Sequence, residues 1–271
     1  MISSKDNPAV KRLAKLMQSK KARREYGEFV IEGMRSCYDA ACELSCGRLK
    51  VTGFYHTAGS LEKAALQFDV SRFDSIAKSL WSEISDRVAE KLSAGSSQGM
   101  FITAELLDKP FVPENIDPKG RYVVLCDLQD PGNIGTIMRS ADAFGISGVV
   151  LAGGCCDLYN PKVIRSAMGS IARTNAYICE SGEAARAMFE SLGVRNIASV
   201  VSGGENIRSI GFSSGCAVYI GNEGKGLDDS FAKACGERVT ISMQGSIDSL
   251  NAAMAATVML WEMTRGEARD G

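Results

Sequence analysis

With 271 residues, 45% of them hydrophobic, the chain can enclose two modest cores, and its longest apolar run, Ala252 to Trp261, is well short of the ~20 residues that a membrane span needs. The formal net charge is −1, the nine cysteines include no C-x-x-C pair and His56 is the single histidine. A disulfide framework, a zinc site and a Ser-His-Asp hydrolase therefore all lack their parts, and reduced thiols behind an N-terminus without an apolar leader point to a metal-free cytoplasmic protein.

The near-neutral total hides an uneven distribution. From Met1 to Arg24 eight basic residues stand against one acid. Val10, Leu13, Ala14, Leu16 and Met17 recur at helical spacing, and packing that stripe would present Lys11, Arg12, Lys20, Lys21, Arg23 and Arg24 outward toward phosphates. Glu28 to Gly33 then reads as a strand running into a turn, Met34 to Cys46 as a helix, Arg48 to Tyr55 as a strand and Ser60 to Gln67 as a helix. Two short helices (Asp74 to Leu80, Ser82 to Lys91), a loop at Ser96 to Gly99 and a strand at Met100 to Thr103 complete a small α/β domain over residues 1–108, which holds no catalytic constellation. Pro110, Pro113 and Pro118 crowd the next stretch. Their fixed φ and missing donors predict a semi-rigid linker over residues 109–120.

A second domain is predicted over residues 121–271. Tyr122 to Cys126 has the apolar, β-branched character of a buried parallel strand, and Asp127 marks where it surfaces. Asp130, Pro131, Gly132 and Asn133 have turn chemistry, after which Ile134, Ile137, Met138, Ala141 and Phe144 recur at helical spacing until Gly145. Such a loop, at the carboxyl end of a strand and the amino end of a helix, is where open α/β sheets bind ligands. Arg139 is the outlier on that helix, open to reading as a surface arginine whose stem covers apolar neighbours. Further strands follow at Gly148 to Leu151, Ala176 to Cys179, Ile197 to Val201, Ala217 to Ile220 and Val239 to Ser242. Helices are predicted from Asn160-Pro161 to Met168, carrying Lys162 and Arg165, from Glu183 to Leu192, and from Ser249 to Thr264. This alternation predicts an α/β fold with a parallel sheet, an architecture that does not by itself choose a chemistry.

The string Asn133-Ile134-Gly135-Thr136-Ile137-Met138-Arg139-Ser140-Ala141, preceded by Asp127-Leu128-Gln129-Asp130-Pro131-Gly132, resembles the first motif of the SpoU/TrmH family of RNA ribose methyltransferases, in the SPOUT superfamily. Gly221-Asn222-Glu223-Gly224-Lys225-Gly226-Leu227 resembles the second motif. Ile241-Ser242-Met243 followed by Ser249-Leu250-Asn251-Ala252 resembles the third. One Gly-rich turn would say little, but three motifs in family order over the C-terminal half are specific. Ser242 departs from the pattern, since the family usually has proline there. The basic opening helix and the strand before Glu32-Gly33 resemble the family's substrate-binding domain, whose fold is like that of certain RNA-binding ribosomal proteins.

The resemblance implies a small N-terminal α/β RNA-binding domain and a C-terminal parallel-sheet SPOUT domain with a trefoil knot, dimerising with a second copy through that C-terminal domain. It implies methylation of a ribose 2'-hydroxyl in structured RNA, ribosomal first and transfer RNA as the alternative, with S-adenosylmethionine as cofactor. Gly221, Asn222, Glu223, Gly224, Ile241, Met243, Ser249 and Leu250 would contact that cofactor, the glycines allowing close backbone approach and the apolar side chains walling an adenine. Arg139 would be catalytic, with Asn133, Glu223, Ser249 and Asn251 orienting it and the substrate. A guanidinium of pKa above ~12 is a poor base at neutral pH, whereas it can stabilise a developing alkoxide without losing its proton. A plainer reading stays open, in which Asn133 and Ser249 cap helices and Glu223 accepts loop amides. Two other classes are also open. A noncatalytic RNA-binding protein on the same scaffold would be marked by loss of Arg139 or Asn251, and both are present; a nicotinamide-dependent oxidoreductase lacks its G-x-G-x-x-G, and an NADH titration tests it.

Overall fold

The computed structural model describes residues 1–93, 98–212, 215–247 and 249–265, and the chain divides into two compact units. The first takes Met1–Leu107 together with Tyr159–Arg173. Strands β1 (Glu28–Glu32), β2 (Val51–His56), β3 (Trp81–Glu83) and β4 (Met100–Glu105) form a sheet in the order β1-β4-β2-β3, antiparallel except between β2 and β3. Its helices are α1 (Pro8–Gln18), α2 (Lys20–Tyr26), α3 (Met34–Ser45), α4 (Ala58–Ala65) and α5 (Asp86–Leu92). β1 is buried along its whole length. Val30 joins Leu13, Leu16, Val88 and Phe101 in one core, while Phe29 meets Tyr159 with ring centroids 4.7 Å apart. Cover on both faces is why Phe29-Val30-Ile31 is a continuous apolar run.

The basic stretch, with the periodicity of one helix, forms two, broken at Ser19, whose hydroxyl accepts from the amide of Ala22 (3.2 Å) and caps the second. The break corrects one expectation. Arg23 is buried and its guanidinium donates to the carbonyls of Leu16 and Met17, which the end of α1 leaves without helical partners. It clamps α1 to α2 and presents nothing to phosphate. Arg12 bonds Glu28 (2.6 Å) and lies over the Tyr26 ring, Arg24 lies over the Tyr159 ring, and both are exposed, as are Lys11, Lys20 and Lys21.

The stretch Asp74 to Leu80 forms 3-10 turns at Val70–Ser75 and Lys78–Leu80, and Trp81–Glu83 is an edge strand beside β2, so that α5 starts only at Asp86. Pairing with β2 overrides a weak helical preference there. Ser96 and Ser97, predicted as loop, lie outside the described residues. Tyr159–Arg173 contains the short helix Pro161–Ala167 (α7, following α6 at Pro131–Ala143). Arg165 pairs with Glu32 (3.2 Å), Arg173 with buried Glu43 (2.9 Å), and the Tyr159 hydroxyl accepts from the amide of Leu107 (2.5 Å). Sequence alone groups this segment with residues 121–271, because periodicity identifies an apolar stripe without saying what covers it.

The second unit takes Asp108–Leu158 and the chain from Thr174 onward. Its strands are β5 (Lys109–Pro110), β6 (Arg121–Cys126), β7 (Gly148–Ala152), β8 (Ala176–Cys179), β9 (Arg195–Ser199), β10 (Glu205–Asn206), β11 (Cys216–Ile220) and β12 (Glu237–Thr240). They lie in the order β10-β12-β9-β11-β6-β7-β8-β5, with every pair parallel. α8 (Gly182–Ser191) and α9 (Asp229–Ala234) close a core around Tyr122, Tyr219 and Phe189. α6 packs on β7, and α10 (Ala252–Thr264) on β6 and β11.

The proline-rich stretch is part of this unit rather than a bare tether. Lys109–Pro110 pairs with β8 at the sheet edge, where a missing donor is tolerated. Phe111 packs against Tyr177 and Phe189, the Tyr177 hydroxyl donates to the carbonyl of Asn115 (2.9 Å), and the Tyr122 hydroxyl accepts from the amide of Asp117 (2.9 Å). From β6 the strand order runs through β7 and β8 to one side, while β11, β9 and β12 lie on the other. The loops that leave β6 and β11 therefore part at a topological switch point, where such sheets open a crevice.

Candidate active site

α6 is capped by Asp130, whose carboxylate accepts from the amide of Asn133 (2.9 Å), with Pro131 in the first helical position. Asn133 is thus not the cap, and its buried side chain is free to bridge. Its Nδ2 donates to Glu223 Oε1 (3.0 Å) and its Oδ1 accepts from Asn251 Nδ2 (3.0 Å). Asn251 Oδ1 accepts in turn from the amides of Ala253 and Met254, so Asn251, not Ser249, caps α10, which starts at Ala252. One asparagine thereby ties together the loops that follow β6, β11 and β12. Satisfied networks of this kind hold loops in a single arrangement.

Glu223 also accepts from the amides of Gln129 (3.2 Å) and Asp130 (2.9 Å). Partial burial pushes its carboxyl up, but the donors, the Asp130 amide foremost, together outweigh burial and hold it below its ordinary value of 4.5. A depressed carboxyl stabilises the fold above about pH 4.5 and loses that contribution as the pH falls through its lowered value. Glu223→Gln should therefore melt below the wild type at neutral pH, and the gap should close in acid. Parallel melting curves at every pH would remove the ionised carboxylate from the network.

The loop after β11 folds tightly on itself. A Cβ on Gly221 would stand 2.5 Å from the carbonyl oxygen of Gly226 and closer still to the neighbouring backbone atoms, so only glycine fits. Asn222 Oδ1 accepts from the amides of Gly224 (3.0 Å) and Lys225 (3.2 Å), which closes the turn. In the third loop Ser242 Oγ accepts from Asn206 Nδ2 (2.7 Å), a tether for a turn that has no proline.

These loops enclose a cavity of about 240 Å³. Gly221, Asn222, Glu223, Gly224, Ile241, Met243, Ser249 and Leu250 all line it, as do Ser199, Val200 and Val201, which no sequence motif singles out. The apolar run predicts a strand as far as Val201, whereas β9 ends at Ser199 and the following residues form a wall. Their position at the carboxyl end of a parallel strand was the available signal.

Arg139 is not brought to this cavity within the chain. It is exposed and makes no hydrogen bond or ion pair among the described residues. The next residue, Ser140, meets Thr257 of α10 at 2.7 Å, and Phe144 meets Trp261 one turn further on, so α6 and α10 run side by side. α10 leaves Met254 (63% exposed), Val258 (38%) and Trp261 (55%) uncovered along one stripe. Among the described residues no cluster of His, Cys, Asp and Glu is suited to a metal, and no helix is long and apolar enough to cross a membrane.

A model of the SpoU rRNA Methylase family matches residues 120–261, and a model of an MRM3-like substrate binding domain matches residues 7–101. An uncharacterised tRNA/rRNA methyltransferase of Synechocystis sp. is 30% identical over 97% of this chain and 93% of its own length. A 23S rRNA (guanosine(2553)-2'-O)-methyltransferase of Bacillus subtilis is 33% identical, over 56% of this chain and 61% of its own length. The AdoMet-bound crystal structure of an rRNA methyltransferase from Sinorhizobium meliloti superposes with a TM-score of 0.82 at 29% identity, covering 99% of this chain and 98% of that one. With the second and third motif loops on one cavity, the first tied to them through Asn133, and the matching model spanning the loops of all three motifs, the chain belongs to the SpoU methylase family.

Proposed function

We propose that the protein is an S-adenosylmethionine-dependent RNA 2'-O-methyltransferase that modifies a ribose of ribosomal RNA. The observation that carries this reading is the Asn133 bridge, which joins the first motif to Glu223 and Asn251 of the second and third, whose loops line one cavity. The residues present suit the cofactor: Ile241, Met243 and Leu250 offer apolar walls to an adenine, and the glycine-only crossing at Gly221 lets backbone approach closely. When bound, the sulfonium supplies an activated methyl group. The protein's own tasks are to orient the hydroxyl and to stabilise the alkoxide that forms, a role for the always-charged Arg139.

The reading includes a homodimer, supported by the uncovered stripe Met254, Val258 and Trp261 beside Arg139. It also includes the knotted path of the family, supported by the return of the chain from β12, near one sheet edge, to pack α10 on the central strands β6 and β11. A cytoplasmic location accords with nine free cysteines. Single-turnover assays with ribosomal and transfer RNA transcripts test the function. Methyl transfer to a 2'-hydroxyl of the ribosomal transcript is expected, transfer to transfer RNA alone would change the substrate, and failure to bind the cofactor would end the reading.

The exposed lysines of α1 and α2 are assigned to RNA phosphates. Charge reversal at Lys20 and Lys21 should flatten the log–log dependence of RNA affinity on salt by ~0.7 to 0.9 for each phosphate no longer neutralised. Arg23→Gln should lower the melting temperature and leave that slope alone, because Arg23 is occupied within the fold. A slope that moves with Arg23 and ignores the lysines would reverse the assignment.

A further inference from the structure

Among the described residues two that are not glycine have left-handed backbone, Asp127 (φ 54°) and Met168 (φ 46°). An L-residue held there carries strain that only its surroundings can maintain, and such positions gather at functional loops. Asp127 directly follows β6, and its amide donates to the carbonyl of Ala152 (3.1 Å) as an extension of the ladder. At Asp127 the chain then turns, and its carbonyl accepts from Asn222 Nδ2 (2.8 Å). Its carboxylate accepts from the amide of Gly154 (2.6 Å), beside Gly153, where a Cβ would fall 2.5 Å from Asp127 Oδ1. The other end of Asn222 holds the amides of Gly224 and Lys225, and both residues line the cavity.

We propose that Asp127 is a positioning residue for the cofactor loop: its left-handed backbone aims the carbonyl at Asn222, and its carboxylate, braced on the Gly154 amide, keeps that backbone in place. It touches no reacting atom and acts through Asn222. The inference rests on the function proposed above and adds to it a residue outside the cavity wall. Aspartate and asparagine tolerate this conformation better than other non-glycine residues, and each carries an acceptor for the brace. Alanine has neither property.

The test is calorimetric titration of S-adenosylmethionine into the full-length wild type, Asp127→Asn, Asp127→Ala, Asn222→Ala and the double variant Asp127→Ala/Asn222→Ala, with melting curves as a check on folding. Asp127→Asn should bind within about twofold of the wild type, and Asp127→Ala about three- to tenfold more weakly, the scale of one missing hydrogen bond. The double variant should be no weaker than Asn222→Ala, since the two act in series. At saturating cofactor the methylation rate of Asp127→Ala should recover most of its loss. Wild-type affinity in Asp127→Ala, additive losses in the double variant, or an asparagine variant as weak as alanine would each overturn the proposal. If the alanine variant does not fold, Asp127→Gly, which reaches φ 54° unstrained but lacks the brace, replaces it. A glycine variant with wild-type affinity would then overturn the brace. A wild type that does not bind the cofactor would remove the proposed function first, and the positioning role with it.

Discussion

Arg139→Ala should lower the single-turnover methylation rate by ~10²- to 10³-fold, the usual cost of removing a donor aimed at developing charge. Arg139→Lys should recover little, since lysine keeps the charge but loses the planar fork that can hold a phosphate and a ribose oxygen together. Affinity for S-adenosylmethionine should not change, because Arg139 does not line the cavity. Arg139 is exposed, with no hydrogen bond or ion pair among the described residues, and the homodimer proposed above would let it serve the cavity of a second copy. Mixing tests this directly. Co-expressed Arg139→Ala and Gly221→Ala chains should regain activity in mixed dimers if the arginine acts across the interface, one chain supplying the cavity and the other the guanidinium. No recovery on mixing would place Arg139 in its own chain's site, and near-normal methylation by Arg139→Ala would remove it from the mechanism.

Gly221→Ala should be the most damaging single methyl group in the cofactor loop. The added carbon would collide with the backbone of Gly226 and Leu227, which has no side-chain freedom with which to yield. Overpacking of this kind costs about 1–3 kcal/mol, or roughly 5- to 150-fold in cofactor affinity if the strain falls wholly on the loop. Gly245→Ala is the matched control, since a Cβ at Gly245 meets nothing within 4 Å. Its affinity should stay close to wild type. Equal losses in the two variants would mean that loop flexibility, not the crossing at Gly221, governs binding.

Several of these features are legible in the sequence. The strand Arg121–Cys126, the turn at Asp130 to Asn133 and the helix after it are local events, set by apolar periodicity and turn chemistry within a dozen residues. The three motif loops are legible as strings because close backbone approach at Gly221 and small residues in α10 leave a mark on composition. The α/β class and the parallel sheet follow from the alternation of short apolar runs with helical stripes, since parallel strands need crossover helices.

Where a side chain finds its partner is not local, and there the tertiary structure decides. Asp130 and Asn133 are both good caps by type, and only the approach of Glu223 and Asn251 from distant loops makes Asn133 the bridge and Asp130 the cap. Arg23 looks like its basic neighbours in sequence, yet the break at Ser19 turns it onto the carbonyls of α1. Three prolines announce a linker, but Tyr122, Tyr177 and Phe189 give that stretch a floor to pack on. Tyr159–Arg173 has an ordinary amphipathic pattern, and its place in the first unit depends on Phe29, Glu32 and Glu43, more than a hundred residues away in the chain. Periodicity and turn residues report the conformation of a segment, because that is determined by neighbours along the chain. The surface that covers a stripe, and the acceptor that meets a buried donor, are set by segments that arrive from elsewhere.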